Sequence, residues 1–200
     1  MDKIDQTFYI NLKHRTDRNE EMKKEFKCIN FDKFERFEGV FDEWGSVGCV
    51  KSHIAVLEKM SSSISMVVED DLEFLVPREE IDSFINSFIN DEKADVLCLA
   101  FNARELTKFN DLLYRTTNTQ TASCYIIKQR MIPIILDNFK QSLHLLITEE
   151  SHKPLLPKNS LDQTWKWLQK EYVFVVPMKR CARQRASFSN ILQSYVNYGV

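Results

Sequence analysis

The sequence contains no apolar run long enough to span a bilayer, and its first residues, Met1-Asp2-Lys3-Ile4-Asp5, lack the apolar core of a secretory leader. A cytoplasmic protein without a transmembrane segment is therefore expected. Charge of one sign is also lacking. The 27 Lys plus Arg against 29 Asp plus Glu leave a formal charge of -2, so no general field draws the chain to nucleic acid or a membrane surface, and any anion site must be local. The five cysteines (Cys28, Cys49, Cys98, Cys124, Cys181) are odd in number, scattered and without paired metal-ligand spacing, which reads as buried thiols in a reducing compartment. No internal repeat, linker or low-complexity tract interrupts the chain, so residues 1–200 are expected to form one domain.

What is present is enough apolar material for a core: 44% of residues are hydrophobic and 28% charged, the balance of a globular protein. The run from Thr7 to Leu12 predicts a strand. It feeds a helix for which Asp17 and Glu20 offer a capping box, with Met22 and Phe26 on one face. Val47, Val50, Ile54 and Leu57 form the stripe of a second helix ending near Ser61-Ser62-Ser63, followed by a buried strand over 64–68. Ile81, Phe84, Ile85, Phe88 and Ile89 mark a third helix, ahead of an apolar strand over 96–101. This β-α-β-α-β order predicts an α/β fold with a mostly parallel sheet covered by helices on both faces. Strand-like runs over 112–117 and 122–128 suggest antiparallel neighbours and hence a mixed sheet. Helices are expected near 129–139 and over 161–170, the latter capped by Ser160, with a last strand over 172–176.

The most informative segment for chemistry is Met66-Val67-Val68-Glu69-Asp70-Asp71, an apolar strand running into three carboxylates. Strand alternation sends Glu69 and Asp71 to one side and Asp70 to the other, so two carboxylates can share Mg²⁺ or Mn²⁺. The alternative is an acidic turn in solvent. Lys179, Arg180, Arg183 and Arg185 gather four positive charges within seven residues, matching either a diphosphate or a solvated basic tail. A nuclease or nucleotidyltransferase would use the same acids with the basic cluster along a phosphate backbone, but the rest of the chain supplies no basic stripe. His53 lies beside an apolar helix stripe, as a packed core histidine also would. Arg15 and Arg18 follow the first strand where an open α/β sheet binds nucleotides. Asp162 opens a helix, a position suited to a stabilising acid or to a general base.

With these pieces in place, the chain resembles glycosyltransferase family 25, which contains bacterial lipopolysaccharide galactosyltransferases, animal collagen galactosyltransferases and proteins of large viruses. The resemblance rests on Phe8-Tyr9-Ile10-Asn11-Leu12-Lys13-His14-Arg15-Thr16-Asp17-Arg18 as the opening strand and turn, and on Arg36-Phe37-Glu38-Gly39-Val40 as the second strand. Its most specific part is Gly48-Cys49-Val50-Lys51-Ser52-His53, similar to the family's Gly-Cys-x-x-Ser-His signature. Val67-Val68-Glu69-Asp70-Asp71 resembles the acidic metal motif, and Thr121 to Ile127 the strand with an acceptor-side aromatic. Asp162 takes the place of the late aspartate, and Gln184 with Ser187 that of the closing Gln-x-x-Ser.

The resemblance implies a single GT-A-like domain, a UDP-sugar donor, Mn²⁺ or Mg²⁺, and a glycan acceptor such as lipopolysaccharide, with no nucleic-acid partner. It implies a hexosyltransferase-type enzyme with a metal on Glu69, Asp70 and Asp71. Asn11, Arg15, Arg18, His53, Glu69, Asp70, Arg183 and Gln184 would line the nucleotide site. Asp71 and Asp162 would be catalytic, Asp162 as the base that deprotonates the acceptor hydroxyl, with inversion favoured. The runner-up expectation is a catalytically degenerate module that binds nucleotide sugar or glycan without turnover.

Overall fold

The computed structural model describes residues 1–189, 191 and 194–197. The first half alternates strands and helices: β1 (Gln6–Asn11), α1 (Thr16–Cys28), β2 (Glu35–Glu38), α2 (Gly45–Lys59), β3 (Ile64–Glu69), β4 (Leu72–Phe74), α3 (Arg78–Asn90) and β5 (Val96–Cys98). The second half adds β6 (Asn102–Lys108), β7 (Leu113–Gln120), β8 (Cys124–Lys128), α4 (Ile132–Glu149), the one-turn α5 (Leu161–Thr164), β9 (Phe174–Pro177) and three short strands, β10 (Ala182–Gln184), β11 (Ser187–Ser189) and β12 (Ser194–Val196).

Eight strands form one mixed sheet in the order β2-β1-β3-β8-β5-β9-β7-β6. Only β8 and β7 run against their neighbours on both sides or edge, so six of the eight strands share a direction. Register and alternation divide the core in two. Val67 pairs with both Phe8 and Tyr125, and Tyr125 with Cys98; this row faces α2 and α4 through Val50, Leu57, Ile135 and Phe139. Met66, Ile126, Leu97 and Val175 pair in turn and face the opposite side, against Met22 and Phe26 of α1 and Ile81, Phe84 and Phe88 of α3. The result is three layers, helix on sheet on helix, as the β-α alternation predicts.

The departures from expectation have local causes. The two strand-like runs over 112–117 and 122–128 are not partners. β7 pairs with β6 and β9, whereas β8 lies between β3 and β5. The missing partner, β6, is an edge strand exposed along most of its length, so it carries none of the apolar alternation that identifies a half-buried strand. The strand expected over 96–101 stops at Cys98. Asp17 does not cap α1; Arg15 holds the N-cap position, with Asp17 in the first turn gripping the Arg15 guanidinium and Glu20 paired to Lys23. The helix near 129–139 begins as a 3-10 turn and then runs on to Glu149. Ser160 sits at an N-cap, but its hydroxyl donates to Pro157 O and Asp162, and the helix tightens into a 3-10 segment after Thr164. β9 is not the last strand: β10 adds antiparallel to β4, and β11 and β12 form a hairpin.

Candidate functional site

Because β1 and β3 are parallel neighbours, with Ile10 level with Glu69, their carboxyl ends reach the same edge of the sheet, where open α/β sheets bind ligands. β3 ends at Glu69 and the chain turns at Asp70 and Asp71 before β4. The alternation expected of the acids therefore holds only in part. Glu69 faces α2, whereas Asp70 and Asp71 are both reached by Arg18 Nη1, at 2.8 and 3.2 Å. Asp70 is further held by Asn11 Nδ2 at 2.7 Å, and Asn11 itself is buried. Arg36 donates to the Asn11 side-chain oxygen, which orients its amide toward Asp70. Burial raises the Asp70 carboxyl, and Arg18 and Asn11 pull against that rise.

Asp71 is the less satisfied of the two. Among the described residues its buried Oδ1 has no hydrogen-bond partner. Burial, and then the nearby charge of Glu69, lift its pKa from 3.8 to about 7 against the opposing pull of the Arg18 guanidinium and the Gln184 amide. A second ribbon folds back over this corner, placing Gln184 opposite Leu72 and bonding Arg185 N to Asp71 O at 2.6 Å. The Gln184 amide thus lies 3.5 Å from Glu69 Oε2.

The segment Gly48 to His53 has a different task for each residue. A Cβ on Gly48 would sit 2.8 Å from Val40 O, closer than carbon and oxygen tolerate, so glycine lets α2 touch the 40–42 loop. Ser52 completes the clamp. Its hydroxyl donates to Gly48 O at 2.7 Å and accepts from Val40 N at 2.8 Å. His53, 1% exposed, lies between Tyr125 Oη at 3.0 Å from Nδ1 and Glu69 Oε1 at 3.1 Å from Nε2. Burial drives the Tyr125 phenol well up, so it stays a donor. The consistent tautomer has Tyr125 O–H donating to Nδ1 and Nε2–H donating to the Glu69 carboxylate. Cys49 Sγ lies 3.7 Å from the same Glu69 oxygen. Among the described residues, Cys49, His53 and Glu69 are the group whose ligand atoms, one from each, fall within 4.8 Å of one another, as a metal site requires.

Two chambers meet at this corner. The first, about 190 Å³, is walled by the 40–43 loop, Arg15, Arg18, Cys49 and the three acids. The second, about 590 Å³, is bounded by Asp162, Gln120, Gln163 and the segment Leu155 to Lys158. Cys49, Glu69 and Gln184 border both. Asp162 faces the second chamber, its carboxylate held by Ser160 Oγ at 2.8 Å and by Thr121 N at 3.4 Å.

Of the residues the sequence singles out, the fold gathers Arg15, Arg18, His53, Glu69, Asp70, Asp71 and Gln184 around the first chamber and Asp162 beside the second. Asn11 is buried behind Asp70 and does not line either chamber. The C-terminal basic cluster comes apart. Arg183 pairs with Glu73, Lys179 with Glu80 and Arg185 with Glu21 and Glu25, while the Arg180 guanidinium lies over the Phe101 ring. Arg15 and Arg18 are engaged too, Arg15 with Asp17 and both with Phe188 O. Tyr125, in the strand expected to carry an acceptor-side aromatic, is wholly buried and faces His53. Sequence reading passes over Phe41, which is 67% exposed on the wall of the first chamber with its ring against His14. It also omits Gln120 and Gln163, whose side chains bond at 2.6 Å beside the second. An exposed aromatic in a loop and two amides in unrelated elements leave no periodic signal.

No protein-family model matches the chain. In sequence it is 32% identical over 129 residues to a protein of Acanthamoeba polyphaga mimivirus named as a glycosyltransferase, a match spanning 52% of this chain and 40% of the viral protein. In structure it aligns with the glycosyltransferase GlyE of Streptococcus pneumoniae at a TM-score of 0.50, 8% identity, and 86% and 44% of the two chains. The fold is that of a GT-A glycosyltransferase. UDP-glucose pyrophosphorylase, solved with UDP-glucose, shares it at a TM-score of 0.50, 7% identity, and 88% and 73% coverage. A transferase and a pyrophosphorylase having the same fold, the choice of reaction falls to the site. Among the described residues no helix is long and apolar enough to cross a membrane.

Proposed function

We propose that the chain is a metal-dependent glycosyltransferase of the family 25 type, which moves a sugar, a hexose in the favoured case, from a UDP-sugar to a glycan acceptor. One observation carries this reading: an acidic corner at the strand ends stands between two chambers of one cleft, with a separate carboxylate, Asp162, beside the second. A transfer between two bound sugars needs that arrangement, a donor side, an acceptor side and charge control where they meet.

The donor set fits a hard divalent cation, Mn²⁺ or Mg²⁺. A buried carboxylate oxygen on Asp71 without a partner among the described residues, beside a second carboxylate, on Glu69, is a cost that a cation removes. Asp71 and Glu69 would hold it; Asp70, already taken by Arg18 and Asn11, would steady the corner. Bound there, the ion would neutralise charge on the leaving diphosphate. Arg18 keeps Asp70 and Asp71 from repelling one another, His53 fixes Glu69, and Phe41 offers an aromatic face for a nucleobase on the first chamber's wall. Asp162 would take the proton of the acceptor hydroxyl, and the Gln120 and Gln163 amides would bind neutral sugar hydroxyls.

Release of UDP from UDP-sugars, followed with Mn²⁺, with EDTA and in Asp71→Ala, tests the reading. Turnover lost in both of the latter is the expected result. Full turnover in either removes the metal assignment, and saturable binding without release across a broad acceptor set would favour the binding module.

A further inference from the structure

The hard-cation reading uses two of the acids and leaves Cys49 without a task, although that thiol lies in the wall common to both chambers. We propose that Cys49, His53 and Glu69 form a second cation site, of soft character and selective for Zn²⁺ over Mn²⁺ and Mg²⁺, which shares Glu69 with the acidic corner. Zn²⁺ bound there would withdraw Glu69 from the hard cation and inhibit the transferase. The inhibition rests on the function proposed above; the site does not.

The geometry is close to what the ion requires. Tetrahedral bonds of roughly 2.0–2.3 Å place neighbouring ligand atoms roughly 3.3–3.8 Å apart. Glu69 Oε1 is 3.7 Å from Cys49 Sγ and 3.1 Å from His53 Nε2, and the remaining separation lies within 4.8 Å. Cys49 and His53 are four residues apart on α2, so one helical turn presents both, and the end of β3 supplies the third ligand. A thiolate, an imidazole and one carboxylate suit Zn²⁺, whereas Mg²⁺ and Mn²⁺ take oxygen ligands. Three protein ligands also leave a fourth position toward the cleft, open to water or to a ligand phosphate.

The outer partner of the histidine is already in place. With an ion on Nε2, the ring's single proton moves from Nε2, where it bonds Glu69 in the ion-free protein, to Nδ1 by exchange with solvent, and Nδ1–H then donates to Tyr125 Oη, whose hydroxyl turns from donor to acceptor. The Cys49 thiol gives its proton to solvent as the S–metal bond forms, so binding releases one proton and strengthens as pH rises. Tyr125 packs against His53 at 5.8 Å between ring centroids, and Phe139 meets the ring edge-on at 5.9 Å. The imidazole is thus held in place before any ion arrives, and little ordering accompanies binding.

Co²⁺ titration of the full chain, watched for the thiolate-to-cobalt charge-transfer band in the near ultraviolet, tests the site directly, with Zn²⁺ affinity measured against a chromophoric chelator. A band that Zn²⁺ abolishes and excess Mg²⁺ does not is expected in the wild type and in Asp71→Asn, a variant that keeps all three ligands. Cys49→Ser and Cys49→Ala should lose the band and bind Zn²⁺ at least about 100-fold more weakly. No band in a folded wild type, or undiminished Zn²⁺ affinity in both Cys49 variants, overturns the site. If the band is present while the protein turns over no nucleotide sugar, the site stands and the function proposed above fails.

Discussion

Replacing Asp71 by Asn is expected to make the fold more stable as pH rises while it removes transfer activity. The folded-state pKa of Asp71 lies near 7, above its ordinary value of 3.8, because burial and the Glu69 charge disfavour the anion. Between these values the folded chain holds a proton on Asp71 that the unfolded chain has released. Stability therefore falls with rising pH, by about 1.4 kcal/mol per pH unit for one proton, and levels off above pH 7. Over the interval from 3.8 to about 7 this amounts to ~4 kcal/mol at most. Asn has nearly the shape of the protonated acid and does not titrate, so the difference in unfolding free energy between variant and wild type should be small near pH 4 and should grow steadily toward pH 7. Urea unfolding at closely spaced pH values, in EDTA, measures that difference while other titrating groups cancel. Mn²⁺ should restore stability to the wild type above pH 7 and do little for the variant. A difference that stays flat across the range would mean that Asp71 is ionised at no cost and that a cation would relieve no strain at this corner.

Gly48→Ala places a Cβ 2.8 Å from Val40 O and should cost about 1–3 kcal/mol, read as a lowered Tm, because a backbone carbonyl cannot move aside as a side chain can. Phe41→Ala removes an exposed ring from the first chamber. It should raise the KM for the donor by about 5- to 100-fold, the range of one stacked base, and leave kcat near its original value; an unchanged donor KM would remove Phe41 from the nucleotide site. Asp162→Asn should lower kcat about 10²- to 10⁴-fold at saturating donor and acceptor. Near-normal kcat would show that another group takes the acceptor proton.

Features that depend on neighbours in the chain were legible before any fold was known. The apolar stripes of α1, α2 and α3 and the buried runs of β1, β3 and β8 follow from periodicity, because each element buries one face and the spacing of that face is fixed by backbone geometry. The acidic end of β3 was conspicuous for the same reason, since carboxylates that follow a buried strand emerge at a sheet edge.

Tertiary structure alone decided which charges cooperate. Arg183 and Gln184 are adjacent in sequence, yet one turns to Glu73 and the other to Glu69. Arg18 and Asp70 are 52 residues apart and share a hydrogen bond. The pairing of Cys49 and His53 with Glu69 needed α2 to lie across β3, and its close approach to the 40–42 loop needed Gly48 and Ser52. Local sequence specifies which face of an element is apolar. The distances of 3 to 4 Å over which carboxylates, cations and thiols act are set only when separate elements pack, and so the chemistry of the cleft belongs to the assembled fold.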